Sequence, residues 1–91
     1  MANSINMKQV QLLRILVKER AIVRLLKTIG SSDYPTRELL NKLGAYGYGH
    51  KLLVRAEKIG LVERKVEKNR VYNKLTVDGK KVVKLARQIG V

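Results

Sequence analysis

From Ile5 to Ile29 the apolar residues return at helical spacing: Val10, Leu13, Leu16 and Val17, then Ile22, Leu25, Leu26 and Ile29. Residues three and four apart share one face of a helix, so this run predicts one long helix or two, with a break near Lys18, Glu19 and Arg20. Leu12, Ile15 and Val23 fall outside any single stripe. A helix that is apolar on more than one side has more than one partner, and a second subunit is the natural candidate. The surface assigned to it is Val10, Leu13, Leu16 and Val17, joined by Leu85 and Ile89 near the C-terminus.

The punctuation that follows is local. Gly30 to Pro35 ends the helix and makes a loop, and Pro35 disfavours helix at Tyr34. Thr36 suits an N-cap, with Glu38 complementing the dipole of a short helix from Thr36 to Leu43 that buries Leu39, Leu40 and Leu43. Gly44 stops it at a position needing positive φ. His50 to Ile59 again reads helical, with Leu52, Leu53, Ala56 and Ile59 inward, and Gly60 ends it. Leu61 to Glu67 and Arg70 to Leu75 alternate with the period of strands, and Lys68-Asn69 between them makes a tight turn. Thr76 caps a final helix carrying Val77, Val82, Val83, Leu85, Ala86 and Ile89, ended by Gly90.

Composition narrows the function. The chain has 91 residues, with no Phe or Trp, so Leu, Ile, Val and Ala must build a small core and a shared dimer surface would relieve the shortage. Twenty Lys and Arg against seven Asp and Glu give a formal net charge of +13. The sequence pI near 10.4 fits a polyanionic partner, most simply nucleic acid. The absence of cysteine removes disulfides, thiol catalysis and cysteine zinc sites. The N-terminal apolar run is interrupted by Arg14, Lys18, Glu19 and Arg20, too soon for a membrane span or signal peptide. A soluble, cytoplasmic protein with no membrane partner is expected, nucleoid-associated if the source is prokaryotic.

Two short helices joined by a glycine-bearing turn, then a basic hairpin, make a helix-turn-helix with a wing. The stretch from His50 to Arg64, including Gly60-Leu61-Val62-Glu63-Arg64, resembles the recognition helix and first wing strand of winged helix-turn-helix transcription regulators, best the MarR-like and small archaeal groups. Leu75-Thr76-x-x-Gly79 is similar to the same family's punctuation, and the resemblance covers Lys18 to Gly90. It implies an α+β, mostly helical fold: a three-helix core, a two-stranded β-hairpin wing, and terminal helices used for dimerisation. The expected single domain, 1–91, divides into N-terminal helix or helices 4–29, helix-turn-helix 36–59, wing 61–75 and C-terminal helix 76–90. Ala56 stands where such proteins carry a larger apolar residue, which predicts tighter packing there.

The stretch GAYGYGHK, Gly44 to Lys51, holds three glycines in eight residues. A P-loop would need a hydroxyl after the lysine, where Leu52 stands, and a dinucleotide fold needs its glycines after a strand. The expected role is a turn with positive φ and a slim helix start whose N–H groups approach a DNA phosphate. With Leu53 and Ala56 inward, Tyr48, His50, Lys51, Val54 and Arg55 turn outward as DNA-contacting residues. Lys51 and Arg55 are chosen for guanine edges or phosphates. The outward alternative for these cations is a solvated basic face. Tyr46 either meets the DNA or fills space under the turn, and a lone His50 has no partners for a metal.

In the wing, Arg64, Lys65, Lys68, Arg70 and Lys74 form a basic ribbon, against which stands pairing with Glu63 and Glu67. Lys68 and Arg70, at the tip, are the preferred contacts. Thr36 and Arg37 at a helix start are placed on phosphate, with simple capping the alternative for Thr36. The partners expected are double-stranded DNA and a second copy of the chain, with no cofactor and no metal; no effector can be named. The leading reading is a sequence-specific regulator. The others are an architectural, chromatin-like protein binding duplex without base preference, and an RNA-binding or ribosome-associated winged helix. The seven scattered acids and single histidine compose no catalytic constellation.

Overall fold

The computed structural model of the chain describes residues 2–44 and 46–90, with side chains from Gln9 onward apart from that of Tyr46. The elements run α1 (Ala2–Lys18), α2 (Arg20–Ile29), β1 (Tyr34–Pro35), α3 (Thr36–Leu43), α4 (Tyr46–Lys58), β2 (Val62–Glu67), β3 (Arg70–Leu75) and α5 (Val77–Ile89). The N-terminal run is thus two helices. Glu19 alone separates them, at φ −119° and ψ 56°. Its N–H donates to Ile15 O at 2.8 Å and its C=O accepts from Val23 N–H at 3.0 Å, so the bend costs that residue neither backbone bond.

The bend divides the apolar residues of α1 between two faces. Leu12 and Leu16 are buried with the core of α2, while Val10, Leu13 and Val17 stand exposed. Leu16 therefore belongs to the chain's own core rather than to the outer surface assigned from the sequence. Leu12, which fitted no stripe, is its inward neighbour. Helix α2 is the centre of the molecule, with Ile22, Leu25, Leu26 and Ile29 all buried. Leu53 and Ala56 of α4, Leu61 and Val62, and Val82, Val83 and Ala86 of α5 close around it. Ile59, expected inward, is instead exposed, because α4 ends at Lys58 and the chain turns away.

The hairpin pairs Val62 with Leu75 through Glu67 with Arg70, antiparallel. Lys68 (φ 49°) and Asn69 (φ 68°) turn it with two left-handed residues, the geometry that matches the twist of the strands. A third, two-residue strand was not expected: β1 pairs Tyr34 with Asn73 and Pro35 with Tyr72, giving the order β1-β3-β2. A proline fits there because an edge strand leaves its missing donor unused. Strand β2 is exposed beyond Val62, and Val66 stands clear of the core, so the ribbon projects as a wing.

Two separate sequence signals meet under the wing. Thr76 caps α5, accepting from Gly79 N–H at 3.1 Å, and its hydroxyl donates to Gly60 O at 2.6 Å. Thr76 N–H reaches Leu61 O at 3.1 Å, and a Cβ on Gly79 would lie 2.1 Å from that same carbonyl. The Gly60-Leu61 and Leu75-Thr76-x-x-Gly79 segments are therefore the two sides of one close backbone contact between the end of α4 and the start of α5.

Candidate nucleic-acid interface

The helix-turn-helix is made by α3 and α4. Gly44 ends α3 in the left-handed conformation (φ 77°), its N–H bonded to Leu40 O and Asn41 O. Helix α4 then begins at Tyr46, a full turn before the expected start at His50, so Gly47 and Gly49 are helical rather than part of the turn. Their roles differ. A Cβ on Gly49 would sit 3.0 Å from Leu40 Cδ2 and 3.4 Å from Leu43 Cδ1, so this glycine lets α3 and α4 approach closely. Gly47 is exposed with open space around it, a slim first turn on the outer face.

Successive exposed residues of α4 make one face. Tyr48, His50, Lys51 and Arg55 are exposed, and Val54 is half-buried beside them. Lys58 continues the file: Lys51, Arg55 and Lys58 fall at i, i+4 and i+7, one side of a helix. Sequence reasoning missed Lys58, although that spacing would have found it. The placement expected of the Tyr46 side chain lies outside the described residues.

Ion pairs thin this cationic surface unevenly. Arg55 Nη2 lies 2.6 Å from Glu19 Oε1 at the α1–α2 bend. Arg64 Nε is 3.7 Å from Glu57 Oε2, tying the first wing strand to α4, and Lys65 Nζ is 3.7 Å from Glu67 Oε2. Among the described residues, Lys51, Lys58, Lys68, Arg70 and Lys74 have no such acid partner. Uncompensated charge therefore sits on the outer face of α4 and on the wing, including its tip, and also on α5, where Lys80, Lys81, Lys84 and Arg87 are exposed.

Arg37 is exposed at the start of α3, facing an open groove whose far wall is Asn69, Arg70 and Val71 of the wing. Thr36 lines the same groove but does not cap the helix. Pro35 occupies the cap position, and Thr36 Oγ1 accepts from Asn73 Nδ2 at 2.8 Å. That same Nδ2 donates to Tyr34 O at 3.1 Å, and Asn73 is fully buried. A single amide from β3 thus holds both the edge strand and the start of α3.

Elsewhere, Val10, Leu13, Val17 and Ile89 are exposed, while Leu85 is half-buried against the core. No group of three or more His, Asp or Glu among the described residues is placed to hold a metal ion. No described helix is long and apolar enough to cross a membrane.

No protein-family model matches the sequence, and neither does any curated protein. Solved structures do match. The S. aureus MepR–DNA complex superposes with a TM-score of 0.74 at 19% identity, over 97% of this chain and 77% of that one. HlyU from Vibrio cholerae gives 0.65 at 21% identity, covering 92% of each chain. AF1382 from Archaeoglobus fulgidus gives 0.64 at 23% identity, over 84% of this chain and 91% of that one. These likenesses show the fold, a winged helix, with five helices and a three-stranded antiparallel sheet among the described residues.

Proposed function

We propose that the protein is a DNA-binding regulator that lays α4 in the major groove and its wing along the backbone or in the minor groove. The observation that carries this reading is the union of two unpaired cationic features, the outer face of α4 and the wing, on a fold whose neighbour MepR is seen in complex with DNA. Tyr48, His50, Lys51 and Val54 are the groove-facing residues, with Lys58 added, and Arg55 joins them when its partner releases it. Lys68 and Arg70 take phosphate or the minor groove, where narrow A·T tracts favour cations, while Arg64 and Lys65 share their charge with Glu57 and Glu67. Arg37 contacts a phosphate from the start of α3, and Thr36 serves it indirectly by fixing that start. The role is one of binding, with no reaction and no cofactor.

The second part of the proposal is a homodimer. Val10, Leu13 and Val17 form an exposed apolar file on α1 at i, i+3 and i+7, and Ile89 is exposed at the end of α5. Helix α1 packs on α5 within the chain, which brings the two carriers of this surface together. An isologous pairing through it would set two α4 helices on successive major grooves, about 34–36 Å apart.

One observation favours an architectural reading instead: Lys80, Lys81, Lys84 and Arg87 are all exposed on α5, away from the α4 face. Titration of a labelled duplex, with structured RNA as competitor and salt as variable, tests both. A regulator binds duplex in preference to RNA and holds one sequence about 10³–10⁷-fold tighter than the rest. Equal affinity for all duplexes supports the architectural reading, and preference for RNA sinks both.

A further inference from the structure

Glu19 stands at the N-cap of α2, where a carboxylate ordinarily accepts from the unsatisfied amides of its own helix. Here it makes no such bond. Its Oε1 reaches across the fold to Arg55 Nη2, 2.6 Å away and 36 residues distant in sequence. Arg55 belongs to the cationic file of α4, and its side chain is 60% exposed. A cation in that file is therefore tied to an acid that has a local use and forgoes it.

We propose that Glu19 is an internal competitor for Arg55, holding the guanidinium away from the duplex and thereby limiting the affinity of the recognition helix. This rests on the DNA-binding reading above. A phosphate or a guanine edge offers the same bidentate acceptor geometry as the carboxylate, so the two compete for one donor fork. The exchange is within reach because Arg55, the partner that must move, is 60% exposed while Glu19 is 26% exposed, and ion pairs open to solvent hold little energy. Nor does it strand the acid. Glu19 shares its crevice between α1 and α4 with Arg14 and Lys18, which remain near the carboxylate when Arg55 leaves.

The test is a double-mutant cycle on the full chain: wild type, Glu19→Gln, Arg55→Gln and the double variant, each checked for folding by circular dichroism. Affinity for a fluorescently labelled mixed-sequence duplex is read by anisotropy over a range of salt. Glu19→Gln should tighten binding by about two- to fivefold, the release of a weak pair open to solvent on its Arg55 side. It should also steepen the salt dependence by about 0.9 in log–log slope, one phosphate contact. The double variant should match Arg55→Gln alone. A Glu19→Gln protein that binds no better than wild type overturns the proposal, and so does a gain that persists without Arg55, which would be a general effect of removing an acid. Failure of the wild type itself to bind duplex would instead overturn the DNA-binding reading, and this inference with it.

Discussion

The amide of Asn73 donates to both Tyr34 O and Thr36 Oγ1 from a fully buried position, joining β3 to the junction of β1 and α3, which the chain visits 39 and 37 residues earlier. Replacing it with Ala leaves a part-buried carbonyl and hydroxyl without their donor, and urea unfolding should show a loss of about 1–3 kcal/mol. An unchanged midpoint would mean that the amide contributes nothing net. Gly79→Ala should cost more, about 3 kcal/mol at the upper end of overpacking, because its Cβ would lie 2.1 Å from the Leu61 carbonyl, which is backbone and cannot rotate aside. Wild-type stability in that variant would contradict the close contact. These residues also mark what single positions disclose. Thr76 was legible as a cap because its partner Gly79 is three residues on. Thr36 was misread as one because its partner, Asn73, is 37 residues on, and no local pattern announces it. Arg55 was legible as an outward cation, but its tie to Glu19 was not, for the same reason.

At the scale of elements, hydrophobic period and glycine placement located most helices and both long strands. They did not locate β1, since two residues ending in proline carry no period. They also started α4 a turn late, because glycine in sequence suggests a loop, whereas Gly49 is there for its close approach to Leu40 and Leu43 and Gly47 for its slim outer face. This gives a prediction in which stability and binding separate. Gly47→Ala should raise helix stability by about 0.5–1 kcal/mol, since the position is exposed and helical with room for the methyl. If the first turn of α4 lies against the DNA backbone, the same change weakens duplex binding, and unimpaired binding would place that turn elsewhere. For the wing, Lys68→Asn with Arg70→Gln keeps a residue tolerant of the left-handed turn while removing both tip charges. The salt slope should then fall by about 0.9 per lost phosphate contact, up to two contacts, with the fold intact. An unaltered slope would remove the wing tip from the interface.

For the molecule as a whole, the charge of +13 points to a polyanionic partner and the order of elements foretold a winged helix; the distribution of that charge needed the structure. Ion pairing takes up Arg55, Arg64 and Lys65 but leaves Lys51, Lys58, Lys68, Arg70 and Lys74 on the α4 face and wing, besides the cations of α5, and burial removes Leu16 from the outer file while keeping Val10, Leu13 and Val17 on it. If that file is the dimer surface, Leu13→Asp with Val17→Asp should give monomers by sedimentation equilibrium with unchanged helix content. It should also weaken binding to a two-half-site duplex far more than to a single half-site. A monomeric wild type would remove the file from any such role. Sequence-specific duplex recognition by α4 and the wing is put to the test by selection of bound duplexes from a random pool at near-physiological salt, followed by sequencing. A sharp motif of two inverted half-sites centred about one helical turn apart is expected. A pool that is bound without enrichment of any sequence would contradict such recognition.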